Sequence, residues 1–165
     1  MKERAELIIK IVNENPGIRY SELMRETGLK NGVLSHYLSK IEQAGRIIIE
    51  RSPRVARLYP CSMSDGETRI IKNLCSFTTR QILLGLLERD MTFKEIVEWT
   101  KKSQGTVSIV LKNLGADEVV TRKFQDGVIS FTIINKKLVS QLIEKYKPKL
   151  IESAADNVSD ILCSL

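Results

Sequence analysis

Residues 31–41 read NGVLSHYLSKI and residues 104–114 read QGTVSIVLKNL. At one fixed offset of 73 residues, Asn31 meets Gln104, Gly32 meets Gly105, Leu34 meets Val107, Ser35 meets Ser108, Leu38 meets Leu111 and Ile41 meets Leu114. The same offset pairs Tyr20 with Phe93, Glu22 with Glu95, Leu23 with Ile96 and Thr27 with Thr100, so the match extends across a preceding short helix. A repeat longer than one supersecondary unit points to duplicated small domains rather than a solenoid. The repeated element is a helix-turn-helix whose second helix buries a stripe at Leu34, Leu38 and Ile41 and leaves its other face to solvent.

Outward from this element, the first unit starts with Leu7, Ile8, Ile11 and Val12 at helical spacing, and Asn15-Pro16-Gly17 stops that helix. A second helix is predicted from about Tyr20 to Thr27, with Leu23 and Met24 inward and Gly28 as its left-handed terminator. The third runs from about Asn31 to Ala44. RIIIERS, a turn at Pro53-Arg54 and VARLYP then read as a hairpin. The second unit repeats the order: Ile82 to Leu87 as first helix, a capping box Thr92-x-x-Glu95 opening the second, and a third from Gln104 to Gly115. VVTRKF and VISFTII flank Gln125-Asp126-Gly127, in which Asp-Gly is a tight-turn signal.

The predicted fold class is therefore mainly α with small β wings: two tandem winged-helix domains plus a long C-terminal helix. The expected boundaries are 1–61 for the first winged helix, 62–81 for a helical linker, 82–135 for the second winged helix and 136–165 for the C-terminal helix. The linker helix is expected to open at the capping box Ser64-x-x-Glu67 and to continue through Ile70, Ile71, Leu74 and Phe77. In the C-terminal helix Leu138, Leu142 and Tyr146 are followed, past Pro148, by Ile151, Ala154, Val158, Ile161 and Leu165 at steps of three and four. Such a stripe is a coiled-coil seam, and it predicts a homodimer. Trp99 aligns with Glu26, an exposed position of the first unit, so its expected burial falls to the linker or the C-terminal helix.

The 165 residues carry a formal net charge of +6, with 11 Lys+Arg against 8 Asp+Glu up to residue 66 and 15 against 12 beyond it. Neither half is a basic tail, so an anion-binding surface has to be folded and local. Cys61, Cys75 and Cys163 lack C-x-x-C spacing and there is a single histidine, which provides no zinc cluster and no metal site. No apolar run approaches the roughly 18 residues of a membrane span, and MKERAELIIK starts an amphipathic helix rather than a signal peptide. The expectation is a cytoplasmic protein away from membranes, without a cofactor. Nothing resembles a phosphate loop, a nucleophile elbow or an acid/base pair, so no catalytic residue is assigned and the chain reads as a non-enzyme.

A helix presented by a helix-turn-helix can enter the major groove, where its outward polar residues meet base edges. In the first unit those residues are Lys30, Asn31, Ser35, His36, Ser39 and Lys40, beside a hairpin carrying Arg51, Arg54 and Arg57. A wing of this composition suits phosphates or a narrow minor groove, although strand alternation prevents all three arginines from facing one way. In the second unit Ile109 and Val110 stand where the first has His36 and Tyr37. Its candidate contacts are Lys102, Gln104, Thr106 and Lys112 at the helix, and Arg122 and Lys123 on the wing. The first unit is thus expected to read bases and the second to assist at phosphates.

The stretch SELMRETGLKNGVLSHYLSKIEQAGRI with its arginine hairpin and RLYP resembles the winged-helix transcriptional regulators of the MarR/ArsR-like superfamily. The duplicated arrangement looks most like tandem winged-helix regulators of archaea. That resemblance implies a double-stranded DNA partner, contacted by Ser35, His36, Ser39 and Lys40 on the recognition helix and by Arg54 and Arg57 on the wing, with the transcription machinery as a further partner. The rival expectation is a tandem winged-helix scaffold for protein interactions that never touches DNA.

Overall fold

The computed structural model describes residues 2–146, and within them the repeat becomes two copies of one fold. The first consists of α1 (Lys2–Glu14), β1 (Ile18–Arg19), α2 (Tyr20–Thr27), α3 (Asn31–Gln43), β2 (Ile47–Arg51) and β3 (Ala56–Pro60). After α4 (Asp65–Leu74) the second runs α5 (Phe77–Glu88), β4 (Met91–Thr92), α6 (Phe93–Thr100), α7 (Gln104–Ala116), β5 (Val120–Gln125) and β6 (Val128–Ile133). A helix over residues 136–146 follows. The chain divides into compact units at Thr68 and Arg69. Both units are winged helices, three helices with a small antiparallel sheet.

In unit one the sheet order is β1-β3-β2, with Ile18 paired to Leu58 and Leu58 to Ile49. Ile8, Val12, Leu23, Leu34 and Leu58 are fully buried at its centre. Each such side chain contributes about 1.5–3 kcal/mol. The helix-turn-helix is locked by Thr27, whose hydroxyl donates to the Leu23 carbonyl at 2.8 Å and accepts from the Leu29 N–H at 3.4 Å. Thr100 does the same in unit two, to Ile96 at 2.9 Å and from Lys102 at 3.4 Å. That is the physical reason this threonine recurs.

Gly28 and Gly45 take φ of 65° and 68° at the ends of α2 and α3, where a left-handed residue terminates a helix. At the same offset unit two places Lys101 (φ 56°) and Glu118 (φ 58°), each costing about 1–2 kcal/mol relative to glycine. The unit-two sheet, β4-β6-β5, turns through Asp126 (φ 53°) and Gly127 (φ 76°), the two positive φ values that a two-residue hairpin needs.

Several expectations are corrected. The two-residue strands β1 and β4 complete three-stranded sheets that the sequence reading had as hairpins alone. On α1 Ile8, Ile11 and Val12 are buried as expected, but at the edge of the face Ile9 is buried and Leu7 is 45% exposed. The segment 62–81 is helical as expected, and the division into units falls within it, at Thr68 and Arg69. Ile70, Ile71, Asn73 and Leu74 of α4 are buried in unit two, Asn73 donates to Asp117 at 2.8 Å, and Arg69 pairs with Glu118 at 3.1 Å. The first helix of unit two starts at Phe77 rather than Ile82, behind a break at Cys75 and Ser76 that the Arg80 guanidinium spans by donating to the Leu74 carbonyl at 2.8 Å.

Trp99 is 41% exposed rather than buried: its indole lies over Gly85 of α5 and donates to the Gln81 carbonyl at 3.0 Å. In the helix over residues 136–146, Val139, Leu142, Ile143 and Tyr146 are buried, a broader face than the stripe of Leu138, Leu142 and Tyr146. The predicted dimerisation residues Ile151, Ala154, Val158, Ile161 and Leu165 lie outside the described residues.

The two predicted capping boxes form. Ser64 and Glu67 exchange bonds of 2.8 and 3.2 Å, and Thr92 and Glu95 exchange bonds of 2.8 and 3.3 Å. The Arg89 guanidinium beside Glu95, followed by the Thr92 N–H and hydroxyl, lowers the Glu95 carboxyl from its ordinary 4.5 to about 2. A depressed folded-state value means this cap is complete above pH 4.5 and is lost as pH falls towards 2. Carboxyl NMR should give Glu95 a midpoint near 2, and Arg89→Ala should raise it. A midpoint near 4.5 in the wild type would show the box open in solution.

Candidate nucleic-acid interface

The core stripe of α3 is Leu34, Leu38 and Ile41, joined by Tyr37 at 9% exposure. Ser35, His36, Ser39 and Lys40 project from the remaining surface and are exposed, as are Lys30 and Asn31 at the helix start. The Tyr20 hydroxyl bonds the Asn31 side-chain oxygen at 2.6 Å, so α2 orients the start of α3 and leaves the Asn31 amide NH2 to donate outward. Unit two has Phe93 and Gln104 at these positions and cannot form the bond. Tyr20 escaped the sequence reading; the signal was the Tyr20/Phe93 pair at the repeat offset.

The wing arginines have three different surroundings. Arg51 makes a bidentate bond to Glu42 at the end of α3, at 2.8 and 2.7 Å. This bond lowers the Glu42 carboxyl and raises the Arg51 guanidinium from their ordinary values. Arg57 is half-buried and donates to the Gly17 carbonyl at 2.8 Å, tying β3 to the turn after α1. Arg54 sits at the exposed tip, where Ser52 closes the turn by accepting from the Val55 N–H at 3.2 Å. Among the described residues it has no acidic partner, and it is the wing arginine left to an external anion.

In unit two Ser103 caps α7 by accepting from the Thr106 N–H at 3.2 Å. Lys102, Gln104, Thr106 and Lys112 are exposed along α7 and its entrance. On β5 the Arg122 guanidinium stands 5.9 Å from the Phe131 ring centre, whereas Lys123 reaches Asp90 at 3.5 Å. Because Tyr37 is a core residue, the contrast between the two recognition helices narrows to His36 against Ile109, which is 63% exposed.

A second contrast was invisible in sequence. Glu42 and Arg51, which brace the first wing to its helix, correspond to Gly115 and Phe124. Without that brace an open groove of ≈ 530 Å³ separates α7 from the second wing, lined among others by Leu111, Lys112, Gly115, Arg122 and Phe131. Phe124 is left 73% exposed.

Among the described residues no group of three His, Cys, Asp or Glu side chains is placed to hold a metal, and no helix is long and apolar enough to cross a membrane.

Residues 1–48 match the family model described as winged helix-turn-helix DNA-binding, and residues 78–122 match that of the bacterial regulatory proteins of the arsR family. No curated protein matches. Several solved structures are similar to parts of the chain. A homodimeric winged helix-turn-helix DNA-binding domain from Mycobacterium bovis, described as a possible ArsR-family transcriptional regulator, is 20% identical over 58% of this chain and 83% of its own, with a TM-score of 0.42. HlyU from Vibrio cholerae is 21% identical over 49% of this chain and 91% of its own, with a TM-score of 0.43. Rv0081 from M. tuberculosis is 21% identical over 54% and 89%, with a TM-score of 0.44. Fold and family matches together define a chain of two winged helix-turn-helix units, of the class found in DNA-binding regulators of transcription.

Proposed function

We propose that the protein is a non-enzymatic, sequence-specific regulator of transcription, similar in plan to the tandem winged-helix regulators of archaea and acting on double-stranded DNA in the cytoplasm. Unit one lays α3 in the major groove, with Ser35, His36 and Ser39 at base edges and Lys30, Lys40 and Arg54 at phosphates. Unit two binds alongside through Lys102, Gln104, Thr106, Lys112 and Arg122. Two chains pair through Ile151, Ala154, Val158, Ile161 and Leu165, which would bring two base readers onto a two-fold axis. The observation that carries this reading is the exposed polar face of α3 next to an unpaired Arg54 at the wing tip.

Selection of binding sites from random duplex DNA tests it. Wild type should enrich an inverted repeat. Ser35→Ala or His36→Ala should alter preference at one or two positions, with about 1–3 kcal/mol lost per good bidentate contact. Absence of any enriched motif would defeat the reading, and enrichment of an unrepeated motif would remove its dimer. The second reading, a protein-interaction scaffold, is favoured by the exposed Phe124, Val128 and Ile129 on the second wing.

A further inference from the structure

The outward strip of α7 differs in kind from that of α3. Buried positions Val107, Leu111 and Leu114 fix the core side of α7. At about 100° per residue, Gly105, Ile109, Lys112 and Ala116 fall on the opposite side. A Cβ on Gly105 would stand no closer than 4.0 Å to its nearest neighbour, so the helix surface there is open. With glycine before it and alanine after it, Ile109 is the one apolar side chain projecting from the strip, at 63% exposure. The corresponding strip of unit one is Gly32, His36, Ser39 and Gln43, three of them hydrogen-bonding residues.

What covers Ile109 is indicated by the charges around it. Lys102, Lys112 and Arg122 are exposed and have no acidic partner among the described residues. Between residues 102 and 116 there is no carboxylate, and on the wing, residues 120–133, Asp126 is the sole one. An apolar knob on a helix whose exposed charges are all cationic complements an anionic surface that offers an apolar feature. Duplex DNA has one such feature in its major groove, the 5-methyl group of thymine. Adenine, guanine and cytosine present polar groups there, and an isoleucine against them would leave those groups desolvated without a partner.

We propose that unit two reads sequence as well as phosphate, by placing Ile109 against a thymine 5-methyl group. This rests on the DNA-binding reading above and assigns unit two a base preference of its own.

The test uses the full chain and a duplex selected from random DNA, with thymines replaced one at a time by deoxyuridine, which lacks only the methyl group. At one or two positions deoxyuridine should weaken wild-type binding about fourfold, the effect of one apolar carbon removed from contact. Ile109→Ser should bind the thymine duplex about fourfold less tightly and show no further loss with deoxyuridine. Ile109→Val should keep the thymine preference. Because Ile109 is exposed, these variants keep the fold. Uniform indifference to deoxyuridine, or a preference that survives in Ile109→Ser, would overturn the proposal while leaving unit one as reader. Failure of wild type to bind any duplex would instead overturn the DNA-binding reading itself.

Discussion

Raising salt from about 50 to about 200 mM should weaken duplex binding roughly 10³-fold. The magnitude follows from which cations lack an intramolecular anion. Lys30, Lys40 and Arg54 in unit one and Lys102, Lys112 and Arg122 in unit two are exposed and without acidic partners among the described residues. One phosphate neutralised by each gives a slope of log K against log salt of about −5, at about 0.9 per phosphate. Arg54→Ala should flatten that slope by about one unit and weaken specific and random duplexes alike. Arg51→Ala should leave it nearly unchanged, since Glu42 already holds that guanidinium at 2.7 Å. Equal effects of the two substitutions would show that the bond to Glu42 opens on DNA; a slope near zero would eliminate phosphate contact altogether.

Gly85→Ala should destabilise unit two by about 1–3 kcal/mol, the usual range for overpacking. An added Cβ would stand 2.8 Å from the Trp99 indole nitrogen and 2.9 Å from the Met91 methyl group. The indole cannot swing away without losing its bond to the Gln81 carbonyl. Most of the penalty should vanish in a Trp99→Ala background, where alanine's better helix propensity offsets about 1 kcal/mol of what remains. Thermal unfolding of the four proteins measures the coupling. Identical losses in both backgrounds would mean that the glycine is required for some reason other than the tryptophan.

The duplication, the helix stop at Gly28 and the Asp126-Gly127 turn were legible because each is a local rule: a fixed offset, a left-handed residue, a two-residue hairpin. Strands β1 and β4 were not, since two residues carry no periodicity. At the edge of the inward face of α1, Leu7 and Ile9 are similarly apolar, and only packing chooses Ile9. Tyr37 was absent from the expected core stripe of α3, yet its ring is buried beside Leu34, Leu38 and Ile41. The arginines of the first wing are identical in sequence, and what separates Arg54 from Arg51 and Arg57 is the anion or carbonyl each can reach, Glu42 from β2 and Gly17 from β3. Residue type proposed these candidates; tertiary partners sorted them.

The Glu42–Arg51 bond joins the last turn of α3 to the tip end of β2, so in unit one helix and hairpin present a surface set before any partner arrives. Gly115 and Phe124 leave the second wing untethered at the same corner. One fold thereby supplies both a template and an adapter. On the proposed reading the template would reject a groove of the wrong width, its loss of freedom belonging to folding, while the adapter would follow the groove the first unit selects and lose its freedom at binding. A regulator assembled this way can keep one half-site strict while the adjoining one drifts.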